Sequence, residues 1–335
     1  MMHPGNETAG QFLLDFAIIG NAKCGTSTIM NWLYEHSQIQ IPRDELYHLK
    51  SKEAWDLVGV FYDYFGGPQE LLPQSIKGYK SPSDITNERA IRMLRAYFPH
   101  TKLLIGLRHP VFMLESFYNF RIQNGYSLPP LEKLHYRNLA NQYAVSFSRA
   151  DYHTSLMYLG KTNLTAPEEL ALMPAPAQKQ IQKQLDKRNN LTEIDGHRNS
   201  NNLLLPPFVQ VPNPVFLYDT AQLSAKDNHP ALLHEFGQDI ANYLGLSAAL
   251  PPPPRHSPGK RLLNATLQAE RDAKKIHICE DRYMEQRKQL LHIGERAAKW
   301  ILDYFLPSEN VYVSNPEHFR DILRGYSQDP CHKKD

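Results

Sequence analysis

The sequence predicts an α/β fold in which a parallel central sheet lies between helices on both faces. Three apolar runs carry that expectation: Phe16-Ala17-Ile18-Ile19, Leu103-Leu104-Ile105-Gly106-Leu107 and Val215-Phe216-Leu217-Tyr218. Each is short and continuous, as strands buried on both faces are. A turn follows each run, and then a stretch with apolar residues at helical spacing. Repeated strand–loop–helix units of this kind build a parallel sheet with right-handed crossovers. In such sheets, ligands sit at the carboxyl ends of the strands.

The elements follow in order. After the first run comes a glycine loop, residues 20–25, and then a helix over 26–36 with Ile29, Trp32 and Leu33 on one face. Pro42 ends the next extended piece, and a polar, aromatic segment runs over 44–65 to the break at Gly66-Gly67-Pro68. Residues 78–84 read as a turn-rich loop. A helix over 87–98 buries Ile91, Leu94 and Phe98, and the second strand ends at Arg108-His109-Pro110, before a helix over 111–124. From 129 to 207 the pattern weakens into a polar stretch with helical patches over 139–159 and 168–185, an elaboration on the core. The third strand leads through Asp219 into a helix ending at Leu244-Gly245. Pro251 to Pro254 form a stiff linker, and a last long helix over 281–306 carries an apolar stripe through Trp300, Ile301, Tyr304 and Phe305.

Composition narrows the function. The 335 residues include 37 basic and 35 acidic ones, a formal net charge of +2. Bulk nucleic-acid binding needs a strong basic excess, so that class is excluded, while a local anion site is not. No uninterrupted apolar run approaches the roughly 18–20 residues that span a bilayer. The best N-terminal stretch, 12–19, is broken by Asp15 and reads as a core strand, so no membrane span, export signal or anchor is expected within the chain as given. Three cysteines make no disulfide framework. Cys24 lies in the glycine loop, and Cys279 and Cys331 stand either as a pair or as two separate thiols. The 15 histidines are scattered, with no His-x-x-x-His beside a carboxylate, so no metal is expected. Asn-x-Thr sequons at Asn6, Asn163, Asn190 and Asn264 exceed the about two that chance supplies. They hint at a lumenal compartment and leave localisation open.

The loop Gly20-Asn21-Ala22-Lys23-Cys24-Gly25-Thr26-Ser27-Thr28 carries the first chemistry. Glycines let successive N–H groups converge on one anion, and the helix N-terminus adds about half a positive charge. Thr26, Ser27 and Thr28 offer hydroxyls, and Lys23 supplies a full charge. The Walker pattern sets a lysine directly after the second glycine, where it clamps a triphosphate. Here Thr26 follows Gly25 and the lysine lies inside the loop. A shorter diphosphate-like group, with Lys23 on its bridging oxygen, fits better. At the end of the second strand, Arg108-His109-Pro110 is followed by Ser116, which offers a bidentate guanidinium and a hydroxyl to a second phosphate.

Together these motifs resemble the P-loop-like sulfotransferase family, whose 5′-phosphosulfate motif Lys-x-Gly-Thr is matched by Lys23-Cys24-Gly25-Thr26 and whose 3′-phosphate motif by Arg108-His109-Pro110 with Ser116. The sequence looks closest to the Golgi glycan sulfotransferases of the heparan sulfate type, whose Lys-Ser/Thr-Pro loop matches Lys80-Ser81-Pro82. The resemblance covers residues 12–125, and 213–250 in outline. It implies a single domain with a P-loop-like three-layer sandwich, a helical elaboration at about 129–207 and a helical C-terminal extension at about 270–330. It also implies 3′-phosphoadenosine 5′-phosphosulfate (PAPS) as donor, no metal, a hydroxyl or amine acceptor on a carbohydrate or a small hydroxyl compound, and a Golgi lumenal setting.

By the same resemblance Lys23 acts on the leaving-group side, Lys80 neutralises the sulfuryl oxygens, and residues 23–28 with Arg108 and Ser116 hold the nucleotide. The family's base is a glutamate in a Glu-x-His-Phe-Phe-like stretch. Glu45 is its best match, but His48 falls one place late and the paired phenylalanines are absent, so His48 stands as the other candidate base. Lys260, in Pro258-Gly259-Lys260-Arg261, stands in a basic loop that either closes over the nucleotide or is a solvated turn. Lys179, Lys183, Lys187, Arg188 and Arg198 either grip an anionic glycan or form a solvated face. Two other functions compete: a P-loop phosphotransferase, and a non-catalytic nucleotide-binding relative.

Overall fold

A computed structural model describes residues 14–51, 54–65, 75–133, 150–173, 175, 178, 179, 181, 182, 210–224, 230–253 and 265–331. Its centre is a six-stranded sheet, every adjacent pair parallel. The strands are β1 (Phe16–Ile18), β2 (Ile39–Gln40), β3 (Ile76–Lys80), β4 (Lys102–Leu107), β5 (Val215–Asp219) and β6 (Val311–Tyr312), in the order β2-β3-β1-β4-β5-β6. Both edge strands are two residues long. In register, Ile18 lies opposite Lys80 on one side and Leu104 on the other.

The period-2 alternation of a strand sends successive side chains to opposite faces, and both faces here are apolar. Ala17, Leu103, Ile105, Leu107, Val215 and Leu217 join one core, with residues of α3 (Ala54–Phe65), α4 (Glu88–Tyr97), α5 (Pro110–Gln123) and α10 (Met284–Trp300). Phe16, Ile18, Leu104, Phe216 and Tyr218 join the other, with α1 (Thr26–Tyr34) and α8 (Pro230–Leu244). Further helices among the described residues include α2 (His48–Ser51), α6 (Tyr152–Leu156), α7 (Ala166–Leu172), α9 (Ala265–Asp272) and α11 (Pro316–Arg324). Burial on two faces explains why the three strongest strands read as continuous apolar runs rather than alternating ones.

Several expectations need correction. Residues 78–80, expected in a turn-rich loop, close β3, where Gly78 leaves room for the ring of Phe16. A Cβ at Gly78 would lie 2.1 Å from that ring, so a residue that reads as a turn signal is a packing residue here. The segment 44–65 holds α2 and α3, and β2 and β6 are too short to leave a pattern. The helix expected over 281–306 starts as α10 and widens into a π turn over Ile301–Phe305. Of the elaboration, α6 and α7 are seen, while residues 134–149 and 183–209 lie outside the described residues. Asn6, Asn190, Asn264, Pro254 and the basic loop at 258–261 lie outside them as well, as do Lys183, Lys187, Arg188 and Arg198. Lys179 is exposed. No described helix is long and apolar enough to cross a membrane, and no group of three or more metal-binding side chains occurs among the described residues.

Cys279 and Cys331 form a disulfide across a sequence separation of 52. It joins the segment before α10 to the stretch after α11. Chain-entropy arguments put the closure of such a loop at about 4 kcal/mol. Replacing both cysteines by serine should lower the unfolding free energy extrapolated from a urea melt by a matching amount, with the far-UV circular dichroism spectrum unchanged.

Candidate active site

The chain leaves β1 through α1 towards β2, on one side of the sheet, and leaves β4 through α5 towards β5, on the other. Since β1 and β4 are neighbours, their carboxyl ends flank a point where the connections diverge, and a crevice opens there. A cavity of about 900 Å³ occupies this position.

The loop after β1 forms its floor. Lys23 and Gly25 both take left-handed backbone conformations, at φ 68° and 77°. Glycine adopts that geometry freely and lysine does so at a cost. Gly25 caps α1, and the cavity is lined by Gly25, Thr26, Ser27 and Thr28. The first four N–H groups of a helix lack partners within it, so this end presents donors and the positive pole of the helix dipole. The loop lies directly on β4: a Cβ on Gly106 would sit 2.1 Å from the Cys24 carbonyl oxygen. Tyr152 ties the two together. Its hydroxyl donates to the Arg108 carbonyl (2.6 Å), accepts from the Arg108 backbone N–H (3.2 Å) and lies 3.6 Å from the Cys24 sulfur.

The cations converge on this floor. Lys23 lines the cavity, with its ammonium 4.4 Å from the centre of the Phe120 ring. Burial, then the neighbouring Arg108 and Lys80, hold its pKa below the ordinary lysine value. Arg108 also lines the cavity, and its Nη1 reaches the Lys23 carbonyl at 3.4 Å. Ser116 joins them from α5. Lys80, at the end of β3, is buried; its ammonium donates to Ser27 Oγ (2.7 Å) and pairs with Glu45 Oε1 at 2.9 Å. Glu45 lines the cavity, and its other oxygen accepts a hydrogen bond from the Tyr47 hydroxyl.

Not every expected residue stands in the cavity. The Cys24 side chain is fully buried against Tyr152, outside the cavity lining, and burial raises its thiol pKa to about 12. His48 opens α2 beside Tyr64, at a ring separation of 6.4 Å, and does not line the cavity. Its buried Nδ1 has no hydrogen-bond partner among the described residues. Lys260 lies outside the described residues.

The cavity also contains residues the sequence reading passed over. Phe112 and Phe120 lie four positions either side of Ser116 on α5, so their shared face was legible from helical spacing. The far wall comes from distant sequence, through Ile322, Gly325 and Tyr326, and no local signal announces it. His109 holds this wall: its Nε2 lies 3.3 Å from the Gly325 carbonyl and 3.2 Å from that of Gln328. Both partners are acceptors, so Nε2 carries the proton.

Asp219 is buried at the end of β5, accepting from the Tyr326 hydroxyl and, at 2.7 Å, from the Ala221 N–H. Burial outweighs these bonds and the nearby Arg108, and raises its pKa to about 6. The folded chain therefore holds this proton more tightly than the unfolded chain does. Stability falls as pH rises from the ordinary carboxylate value through about 6. Denaturant midpoints compared at about pH 4.5 and about pH 7 should drop less in Asp219→Asn than in the parent protein.

No protein-family model and no curated protein matches the chain. Among solved structures, the sulfotransferase from Alicyclobacillus acidocaldarius is similar at 16% identity, over 86% of this chain and 96% of that one, with a TM-score of 0.41. A likeness of that degree transfers no residue's role from one chain to the other.

Proposed function

We propose that the protein is a sulfotransferase that passes a sulfuryl group from PAPS to a hydroxyl or amine, on a carbohydrate. One observation carries this reading: the phosphosulfate-like loop with Lys23, the Arg108 and Ser116 pair and Glu45 line one cavity, and Lys80, buried behind the lining, is tied to two of its residues, Ser27 and Glu45. Its volume of about 900 Å³ lies within the range of about 300–1,000 Å³ common for small-molecule sites. Two separate anion-binding stations suit a nucleotide with phosphates at both its 3′ and 5′ ends. A triphosphate bound with Mg²⁺ suits the site less, because Thr26 stands where the clamping lysine would follow Gly25. The carbohydrate class of the acceptor rests on the resemblance carried by Lys80-Ser81-Pro82. The Cys279–Cys331 disulfide supports an oxidising, lumenal setting.

Each residue then has a task in an in-line transfer. Arg108 and Ser116 grip the 3′-phosphate. Glu45 takes the proton from the attacking oxygen as that oxygen bonds to sulfur. Lys80 offsets charge on the sulfuryl oxygens. Lys23 and the N–H groups opening α1 receive the negative charge that gathers on the 5′-phosphate as its bond to sulfur breaks. The products are the sulfated acceptor and adenosine 3′,5′-bisphosphate.

A thermal-shift comparison tests the reading. Adenosine 3′,5′-bisphosphate should raise the melting temperature, because a ligand bound only by the folded state stabilises it. ATP with Mg²⁺ should do so less. The reverse order would favour a phosphotransferase and overturn the proposal.

A further inference from the structure

Tyr47 has a place at the candidate base that the mechanism above leaves unused. Lys80 holds Glu45 Oε1, so Oε2 is the oxygen left for an incoming proton, and the Tyr47 hydroxyl already donates to it. The backbone beneath is fixed: the Leu46 N–H bonds the Lys80 carbonyl at 2.9 Å, and Leu46 and Leu49 are buried. The Tyr47 ring, by contrast, is 41% exposed at the cavity. Its outer partner is the Lys50 ammonium, 4.3 Å from the ring centre, which itself donates to Ser83 Oγ at 2.9 Å. An anchored backbone with an exposed ring makes a hinged side chain whose hydroxyl can leave Glu45 while the rest of the segment stays in place.

Resting on the sulfotransferase reading, we propose that Tyr47 is a gate on the base, its hydroxyl occupying Glu45 Oε2 until an acceptor displaces it, so that water does not take the acceptor's place. Burial and the bond to Glu45 keep the phenol above its ordinary pKa, so it stays protonated and remains a donor. The gate matters because water is itself an acceptor. A water oxygen that bonds to sulfur while Glu45 takes its proton would break the bond from sulfur to the 5′-phosphate oxygen. The electron pair would leave with adenosine 3′,5′-bisphosphate, and sulfate would be released without product. Tyr47 is thus a positioning residue that acts through Glu45 and separates transfer from waste.

The test needs no acceptor. Release of labelled sulfate from PAPS in water is followed for the parent protein, Tyr47→Phe, Glu45→Gln and the double variant, with adenosine 3′,5′-bisphosphate affinity measured alongside. Tyr47→Phe removes the hydroxyl and keeps the ring. It should leave nucleotide affinity unchanged, lower the melting temperature by no more than a few degrees, and raise sulfate release about fivefold, the ratio set by one ordinary net hydrogen bond. The double variant should fall back to the level of Glu45→Gln. Release by Tyr47→Phe at or below the parent level overturns the gate, and so does a rise that persists without Glu45. If the parent protein binds neither PAPS nor the bisphosphate, the sulfotransferase reading fails and the gate fails with it, a result unlike either of those two.

Discussion

Lys23→Ala should lower sulfuryl transfer by about 100- to 1,000-fold, the usual cost of removing one preorganised charge from a transition state, while leaving the fold intact. The ammonium is held on the floor of the cavity by Phe120 and crowded by Arg108 and Lys80. Its folded-state pKa is lowered, so the unfolded chain binds that proton more tightly than the folded one. Stability therefore rises with pH from the folded-state value towards the unfolded-state one, and below that window the charged lysine is a burden on the fold. Alanine removes the burden and keeps a Cβ on the same left-handed backbone. The melting temperature of the variant should equal or exceed that of the parent. Turnover of labelled donor within about tenfold of the parent would take Lys23 out of the chemistry.

Arg108→Ala should act on binding. Losing a charge-assisted hydrogen bond costs about 1.5–3 kcal/mol, a roughly 10- to 150-fold weaker Kd for adenosine 3′,5′-bisphosphate by calorimetry. Tyr152 clasps the backbone of Arg108 and not its side chain, so what the fold loses with the guanidinium is its long, 3.4 Å contact to the Lys23 carbonyl. The tie between β4 and the glycine loop survives in the variant. An unchanged affinity would remove Arg108 from the nucleotide site.

The parts of the molecule that could be read from the chain share one property: their signal is local. Lys23, Arg108 and Ser116 stand at fixed offsets from the ends of β1 and β4, and strands buried on both faces announce themselves as apolar runs. The fold class, a parallel sheet between two helical layers, follows from those runs and holds in the structure. What escaped was decided by contacts between distant residues. Gly78 reads as a turn until the Phe16 ring is seen to fill its place. Tyr326 and Gly325 reach the cavity only because α11 returns beside β5, and Asp219 becomes a raised carboxylate only once the fold buries it, against the lowering effect of its bond from Tyr326. Glu45 and His48 were alternatives in sequence. The fold sets Glu45 on the cavity beside Lys80 and leaves His48 off it.

The brevity of β2 and β6 bears on how the protein behaves in crowded solution. An unpaired strand border offers a row of N–H and C=O groups on which another chain can dock and begin a fibre. With only Ile39 and Gln40 at one border and Val311 and Tyr312 at the other, each border strand among the described residues ends almost as soon as it starts. A foreign strand would gain very few ladder bonds at either side, so the sheet's broad apolar interior is protected from self-templating by the shortness of its margins.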